Sequence, residues 1–121
     1  MAYTPRGEPP DKRIVWLKGQ VASPPFSERA RILVGHLLRL LQRGQTVAMP
    51  DSRPMPSVEP GCHELRVRDV DHSWRLIYYV GPDEIVVLDV WSKKTNQTPD
   101  NVIRECRRRL HAYQAAKRKV D

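Results

Sequence analysis

Between Cys62 and Pro99 the chain runs through Cys62-His63-Glu64-Leu65-Arg66-Val67-Arg68, then Trp74-Arg75-Leu76-Ile77-Tyr78-Tyr79, then Val90-Trp91-Ser92-Lys93-Lys94-Thr95-Asn96-Gln97-Thr98-Pro99. β-branched and aromatic residues interleaved with cations fit pleated, part-buried strands. Side chains in a strand point alternately to two faces, so Glu64, Arg66 and Arg68 share one face and Leu65 and Val67 the other. The connections Asp69-Val70-Asp71-His72 and Gly81-Pro82-Asp83 are short enough for hairpins, and predict an antiparallel meander of strands 62–68, 73–80 and 84–91. Such a sheet can pack one face on a core and offer the other, rich in Arg, Tyr and Lys, to a polyanion.

The remaining elements follow from caps and periodicity. Arg13-Ile14-Val15-Trp16-Leu17 reads as a first strand, ended by Lys18-Gly19-Gln20. Ser27 is an N-cap with Glu28 in the first turn, and Ala30, Leu33, Val34, Leu37, Leu38 and Leu41 recur at helical spacing until Gly44. Residues 46–61 contain Pro50, Pro54, Pro56 and Pro60 without either period, which predicts a long surface connection. Thr98 can cap a last helix whose first position is Pro99, with Asp100 in its first turn and Val102, Cys106, Leu110 and Tyr113 as its apolar stripe. Residues 1–12, with Pro5, Pro9 and Pro10 among charges, predict a flexible arm ahead of a single domain at 13–121. The fold class is α/β in its α+β form.

With 121 residues, a net charge of +7 and a sequence pI near 9.8, the chain favours a polyanionic partner, RNA above all; an acidic protein also fits. Cys62 and Cys106 lack a C-x-x-C or His-rich context and read as reduced thiols. No segment approaches the roughly 20 apolar residues that span a bilayer, so a cytoplasmic protein is expected. There is no Gly-rich phosphate loop, nucleophile elbow or carboxylate cluster suited to a metal, and no cofactor is expected.

Arg75 is a cation inside an apolar strand, sharing its parity with Ile77 and Tyr79. It needs a ligand or a partner, because an unpaired buried charge is costly. Its planar fork suits a phosphate; a salt bridge to Glu64 or Asp89 is the structural alternative. Trp91, Lys93 and Lys94 join a stacking surface to two charges just ahead of a helix N-terminus. Arg104, Arg107, Arg108 and Arg109 form a basic run that suits either an RNA-facing surface or an ordinary solvated helix face. His36, His63, His72 and His111 are dispersed, and His63 and His72 lie near the sheet.

The three segments, in this order and spacing, resemble the phage-derived branch of the HigB/RelE toxin superfamily, most densely at Glu64-Leu65-Arg66, Arg75 to Tyr79 and Trp91 to Pro99. The resemblance implies a RelE-like small twisted, mostly antiparallel sheet with helices packed on one face. It also implies a type II toxin that cleaves mRNA in the ribosomal A site without a metal, the RNA 2′-hydroxyl being the nucleophile. Arg66, Arg75, Lys93 and Lys94 would then bind and stabilise phosphates, with Tyr79 or His63 assisting proton transfer. Arg68, Trp91 and Arg108 would support RNA binding, and a helix-turn-helix antitoxin would be the protein partner. Two positions depart from the family's pattern: Gln97 stands where another Lys is common, and Trp91 where Phe or Tyr is. Alternative functions are a non-catalytic, ParE-like inhibitor of DNA gyrase and a basic nucleic-acid-binding accessory domain.

Overall fold

The structure is a computed structural model that describes residues 11–92 and 97–120. Its elements are β1 (Arg13–Trp16), α1 (Glu28–Gln42), β2 (Ser52–Pro54), β3 (Cys62–Arg68), β4 (Ser73–Val80), β5 (Glu84–Ser92) and α2 (Asp100–Val120). The sheet has strand order β1-β5-β4-β3-β2, with β1 parallel to β5 and every other pair antiparallel. The expected α+β class, the three-strand meander and both main helices are all present. Residues 1–10, expected as a flexible arm, lie outside the described residues. Asp11 and Lys12 are tied to α1, Asp11 through Arg39 at 2.7 Å and the Lys12 amide through the Gln42 carbonyl at 2.8 Å.

Helix α1 starts where Ser27 Oγ accepts the Ala30 amide at 3.1 Å, with the Glu28 carboxylate favourable at the positive end of the helix dipole. Gly44, at φ +82°, closes it in a conformation that side chains other than glycine disfavour. The buried stripe Ala30, Val34, Leu37, Leu38 and Leu41 packs onto Leu65, Val67, Trp74, Leu76, Ile85 and Val87, and Phe26 stacks on Trp74 with ring centroids 3.9 Å apart. Asp69, in the β3–β4 turn, accepts from the Ser27 amide, the Trp74 indole and the Val70 amide, which fixes that turn to the start of α1.

The expectation that the helices share one face needs correcting. Cys106 and Leu110 of α2 pack with Cys62, Ile77, Val86 and Leu88, whose side chains leave the sheet on the side opposite α1. The cause is the continuous apolar run Ile85-Val86-Val87-Leu88, because a strand apolar at every position must be covered on both faces. A register shift between Ile77 and Tyr78 brings both Leu88 and Asp89 to the α2 side. The expected surface connection at 46–61 also carries structure: β2 pairs with β3, and Met55 and Val58 are buried against α2. Arg107 holds this segment by donating to the Ser57 and Val58 carbonyls, and Arg109 donates to the Leu88 carbonyl at 2.6 Å.

At the far end of α2, the buried Glu84 carboxylate accepts from Arg13 at 2.9 Å, from the Tyr113 hydroxyl at 2.7 Å and from Lys117, joining β1, β5 and α2. Burial alone would push this carboxyl up, but its bonds to Lys117 and Tyr113 and the Arg13 charge hold it below its ordinary value. Hydrogen bonds from Ser27 first, then Trp74 and Val70, hold Asp69 well below the usual carboxylate range. Both groups are depressed in the folded state, so their contribution is complete above the ordinary carboxylate value near pH 4 and is lost as pH falls below it. The denaturant midpoint is therefore expected to be level above about pH 5 and to fall below about pH 4. Asp69→Asn with Glu84→Gln should flatten that acid limb, and an unchanged limb in the double variant would rule out these two groups as its source.

Candidate functional site

Antiparallel register places Arg66 opposite Arg75, and Arg75 opposite Trp91, so these three side chains form one row across β3, β4 and β5. The neighbouring row holds Glu64, Ile77 and Asp89, and β2 sets Arg53 beside Glu64. Both rows lie on the face that α2 covers further along the sheet through Cys106 and Leu110. Glu64 is fully buried and Arg75 is 5% exposed, whereas Arg53, Arg66 and Trp91 are half-buried.

Glu64 is the one carboxylate bonded or paired to this arginine group among the described residues. It lies 3.2 Å from Arg53 Nε and 3.7 Å from Arg75 Nε, and it accepts the Thr98 hydroxyl at 2.5 Å. Arg75 Nη1 donates to Ser73 Oγ at 2.8 Å. Of the two carboxylates weighed as partners for Arg75, Glu64 therefore faces it, while Asp89 sits 3.9 Å from Arg109. The Arg75 guanidinium is pushed below its ordinary value, by burial first and then by the Arg66 charge; Glu64 pulls the other way, and Arg53 adds to the lowering. One carboxylate thus serves two guanidinium groups, with the Arg66 charge beside them. Like charges directly opposite on adjacent strands are destabilising, and the buried Nε atoms of Arg66 and Arg75 have no hydrogen-bond partner. An entering anion would relieve the like-charge cost.

A cleft of about 460 Å³ adjoins the row, lined by Arg29, Leu33, Pro50, Asp51, Arg66, Val67, Arg68, Ser73 and Arg75. Its walls come from both faces of the sheet, so it wraps the edge of β3 beyond the end of β2. Arg29 Nη2 donates to the Arg68 carbonyl at 2.8 Å and fixes one rim.

The structure gathers Arg66, Arg75 and Trp91, with Arg68 exposed at the next cross-strand pair, opposite Ser73. Lys93 and Lys94 lie outside the described residues. Three other candidates stand apart from the cluster. His63 projects to the α1 face and stacks on Tyr78 with centroids 5.4 Å apart, its buried Nδ1 unpartnered. Tyr79 shares the face of Arg75 but is four residues along the strand, about 13 Å away; its ring packs over Gly61 and Gly81 instead. Arg108 is exposed and paired with Glu105 at 2.7 Å, on the side of α2 turned away from the sheet. Arg53, Glu64 and Thr98 complete the cluster without having been candidates. Arg53 sits in a proline-rich stretch with no period to announce it.

Cys62 and Cys106 are buried free thiols, pushed up to about 12 by burial first and then by the nearby carboxylates of Glu59 and Asp89 respectively. Among the described residues no group of three or more His, Cys, Asp or Glu side chains is gathered as a metal site, and no helix is long and apolar enough to cross a membrane.

No curated protein matches the chain. The family model described as "Phage derived protein Gp49-like (DUF891)" matches residues 25–111, more than two thirds of the chain, from just before the α1 cap to the middle of α2. The matched span contains the whole arginine cluster, from Arg53 to Thr98. A toxin family of this type implies an antitoxin partner. The chain belongs to the phage-derived Gp49-like family, a family associated with RelE/HigB-like toxins of toxin–antitoxin systems.

Proposed function

We propose that this protein is the toxin of a type II toxin–antitoxin pair and acts as a HigB-like, ribosome-dependent mRNA endoribonuclease that inhibits translation. The observation that carries the reading is the arginine cluster. Arg53 and Arg75 both pair with a single carboxylate, Glu64, and Arg66 stands opposite Arg75 beside an open cleft, so the cluster carries an excess of positive charge for a phosphodiester to neutralise.

The chemistry follows from RNA itself. The 2′-oxygen attacks the adjacent phosphorus, the bond from phosphorus to the 5′-oxygen breaks, and the proton lost from the 2′-hydroxyl is balanced by one gained at the leaving 5′-oxygen. Negative charge builds on the non-bridging oxygens, where preorganised cations lower the barrier. Arg66, the more open of the cross-strand pair, meets the phosphate, and Arg75 supports it from below with its fork. Trp91, in the same row, offers a ring for a flanking base. Lys93 and Lys94 follow Trp91 and Ser92 directly in the sequence and would supply further cations for the phosphate backbone.

Expression in a bacterial host without an antitoxin is expected to arrest growth, with primer extension showing codon-phased ends in ribosome-bound transcripts. Growth arrest with intact mRNA and loss of DNA supercoiling would instead establish gyrase inhibition and overturn the nuclease. A 2′-deoxy substitution at the cut site should abolish cleavage, and cleavage of that substrate would refute the 2′-hydroxyl mechanism.

A further inference from the structure

A fully buried carboxylate in the middle of a strand is costly unless its surroundings use it. Glu64 reaches three separate parts of the fold: Arg53 on β2, Arg75 on β4 and Thr98 just ahead of α2. Arg53 Nη2 also approaches Thr98 Oγ1 at 3.4 Å, so Glu64, Arg53 and Thr98 close a ring. The carboxylate faces both guanidinium groups from the Nε side. Held at that edge, with Arg75 Nη1 also donating to Ser73 and Arg53 Nη2 to Thr98, each guanidinium has a fixed plane and keeps its remaining Nη N–H groups for a phosphate. Without the carboxylate, Arg53, Arg66 and Arg75 would repel one another in a poorly solvated site.

We propose that Glu64 is the positioning residue of this site: it touches no substrate, but sets the directions of the Arg53 and Arg75 guanidinium groups and ties them through Thr98 to the start of α2. The proposal rests on the reading of the cluster as a phosphodiester-binding centre. It makes a prediction that neither simple electrostatics nor a purely structural role shares. Removing the negative charge raises the local positive potential, so RNA should bind at least as tightly. The guanidinium groups lose their fixed directions at the same time, and misplacement by about 1 Å can cost roughly 10²-fold in rate.

The test uses the full chain, with Glu64→Gln as the main variant, since it keeps shape and an acceptor for Thr98 while losing charge. Binding is measured to ribosomes programmed with a message carrying a 2′-deoxy nucleotide at the cut site, and single-turnover cleavage is measured on the ribose counterpart. Glu64→Gln is expected to bind the deoxy complex as tightly as the unaltered protein or better, while cleaving about 10²-fold more slowly. Glu64→Asp, which keeps the charge on a stem one methylene shorter, should recover part of that loss. Cleavage by Glu64→Gln within threefold of the unaltered protein would overturn the positioning role. So would unfolding of both variants by circular dichroism, which would make Glu64 purely structural. If the unaltered protein neither binds nor cleaves these complexes, the reading of the site fails and takes this inference with it.

Discussion

Arg75→Ala is expected to slow cleavage of ribosome-bound mRNA by two to three orders of magnitude while leaving the domain folded. Loss of one preorganised charge-stabilising donor typically costs about 3 to 4 kcal/mol of barrier, and Arg75 is the central cation of the row between Arg66 and Trp91. The fold should survive for a specific reason. Glu64 keeps its contacts to Arg53 and Thr98 when Arg75 is removed, so no buried carboxylate is stranded. The substitution also removes a like-charge pair across β3 and β4 and a guanidinium whose charged form burial disfavours. Arg75→Lys should restore only part of the rate, because a point charge cannot replace a fork. Arg68→Ala, exposed beside the turn, should matter less. Circular dichroism and single-turnover cleavage decide the matter together: if Arg75→Ala unfolds the protein, Arg75 is half of a structural ion pair, and the phosphate site belongs with Lys93 and Lys94.

The parts of this fold that could be read from the chain are those with a local signal. Ser27 announces α1 because its side chain competes for the orphan amides of the first turn, and β3 alternates because only one of its faces meets α1. β2 was not legible, since three residues ending in Pro54 carry no period, and its existence depends on β3 being there to pair with. The side taken by α2 was also missed, although the unbroken run Ile85-Val86-Val87-Leu88 already required cover on both faces. Within the site, Arg66 and Arg75 were both candidates, but their meeting depends on register, which the β3–β4 turn sets when Arg68 pairs with Ser73. Two other placements were available in advance. His63 is adjacent to Glu64 in a strand and so must point to the other face. Arg108 lies two residues from both Cys106 and Leu110, which turns it away from the helix's buried stripe.

Leu110→Ala should cost about 2 to 5 kcal/mol, a large part of the roughly 5 to 15 kcal/mol that holds a domain of this size together. Cys106 and Leu110 are the fully buried side chains of α2 among the described residues, so a helix of 21 residues is held by two deep anchors, the partly buried Val102, Ile103 and Tyr113 around them, and polar ties. Those ties are the bonds of Arg107 to the Ser57 and Val58 carbonyls, Arg109 to the Leu88 carbonyl, and Tyr113 and Lys117 to Glu84. Each orients the helix, and the tie made by the exposed Arg107 contributes only modestly because charge held near solvent is screened. A cavity between α2 and β5 should therefore loosen α2 before it unfolds the sheet, which α1 covers from the opposite side. The buried thiols report this directly. Cys62 and Cys106 should be inert to a thiol reagent in the unaltered protein, protonated and enclosed, and should label readily in Leu110→Ala while the amides of β3 and β4 stay protected from hydrogen exchange. A variant with an unchanged denaturant midpoint and unreactive thiols would show that α2 is held by its polar ties. Simultaneous loss of protection in α2 and in the sheet would show instead that the two faces of this domain unfold as one unit.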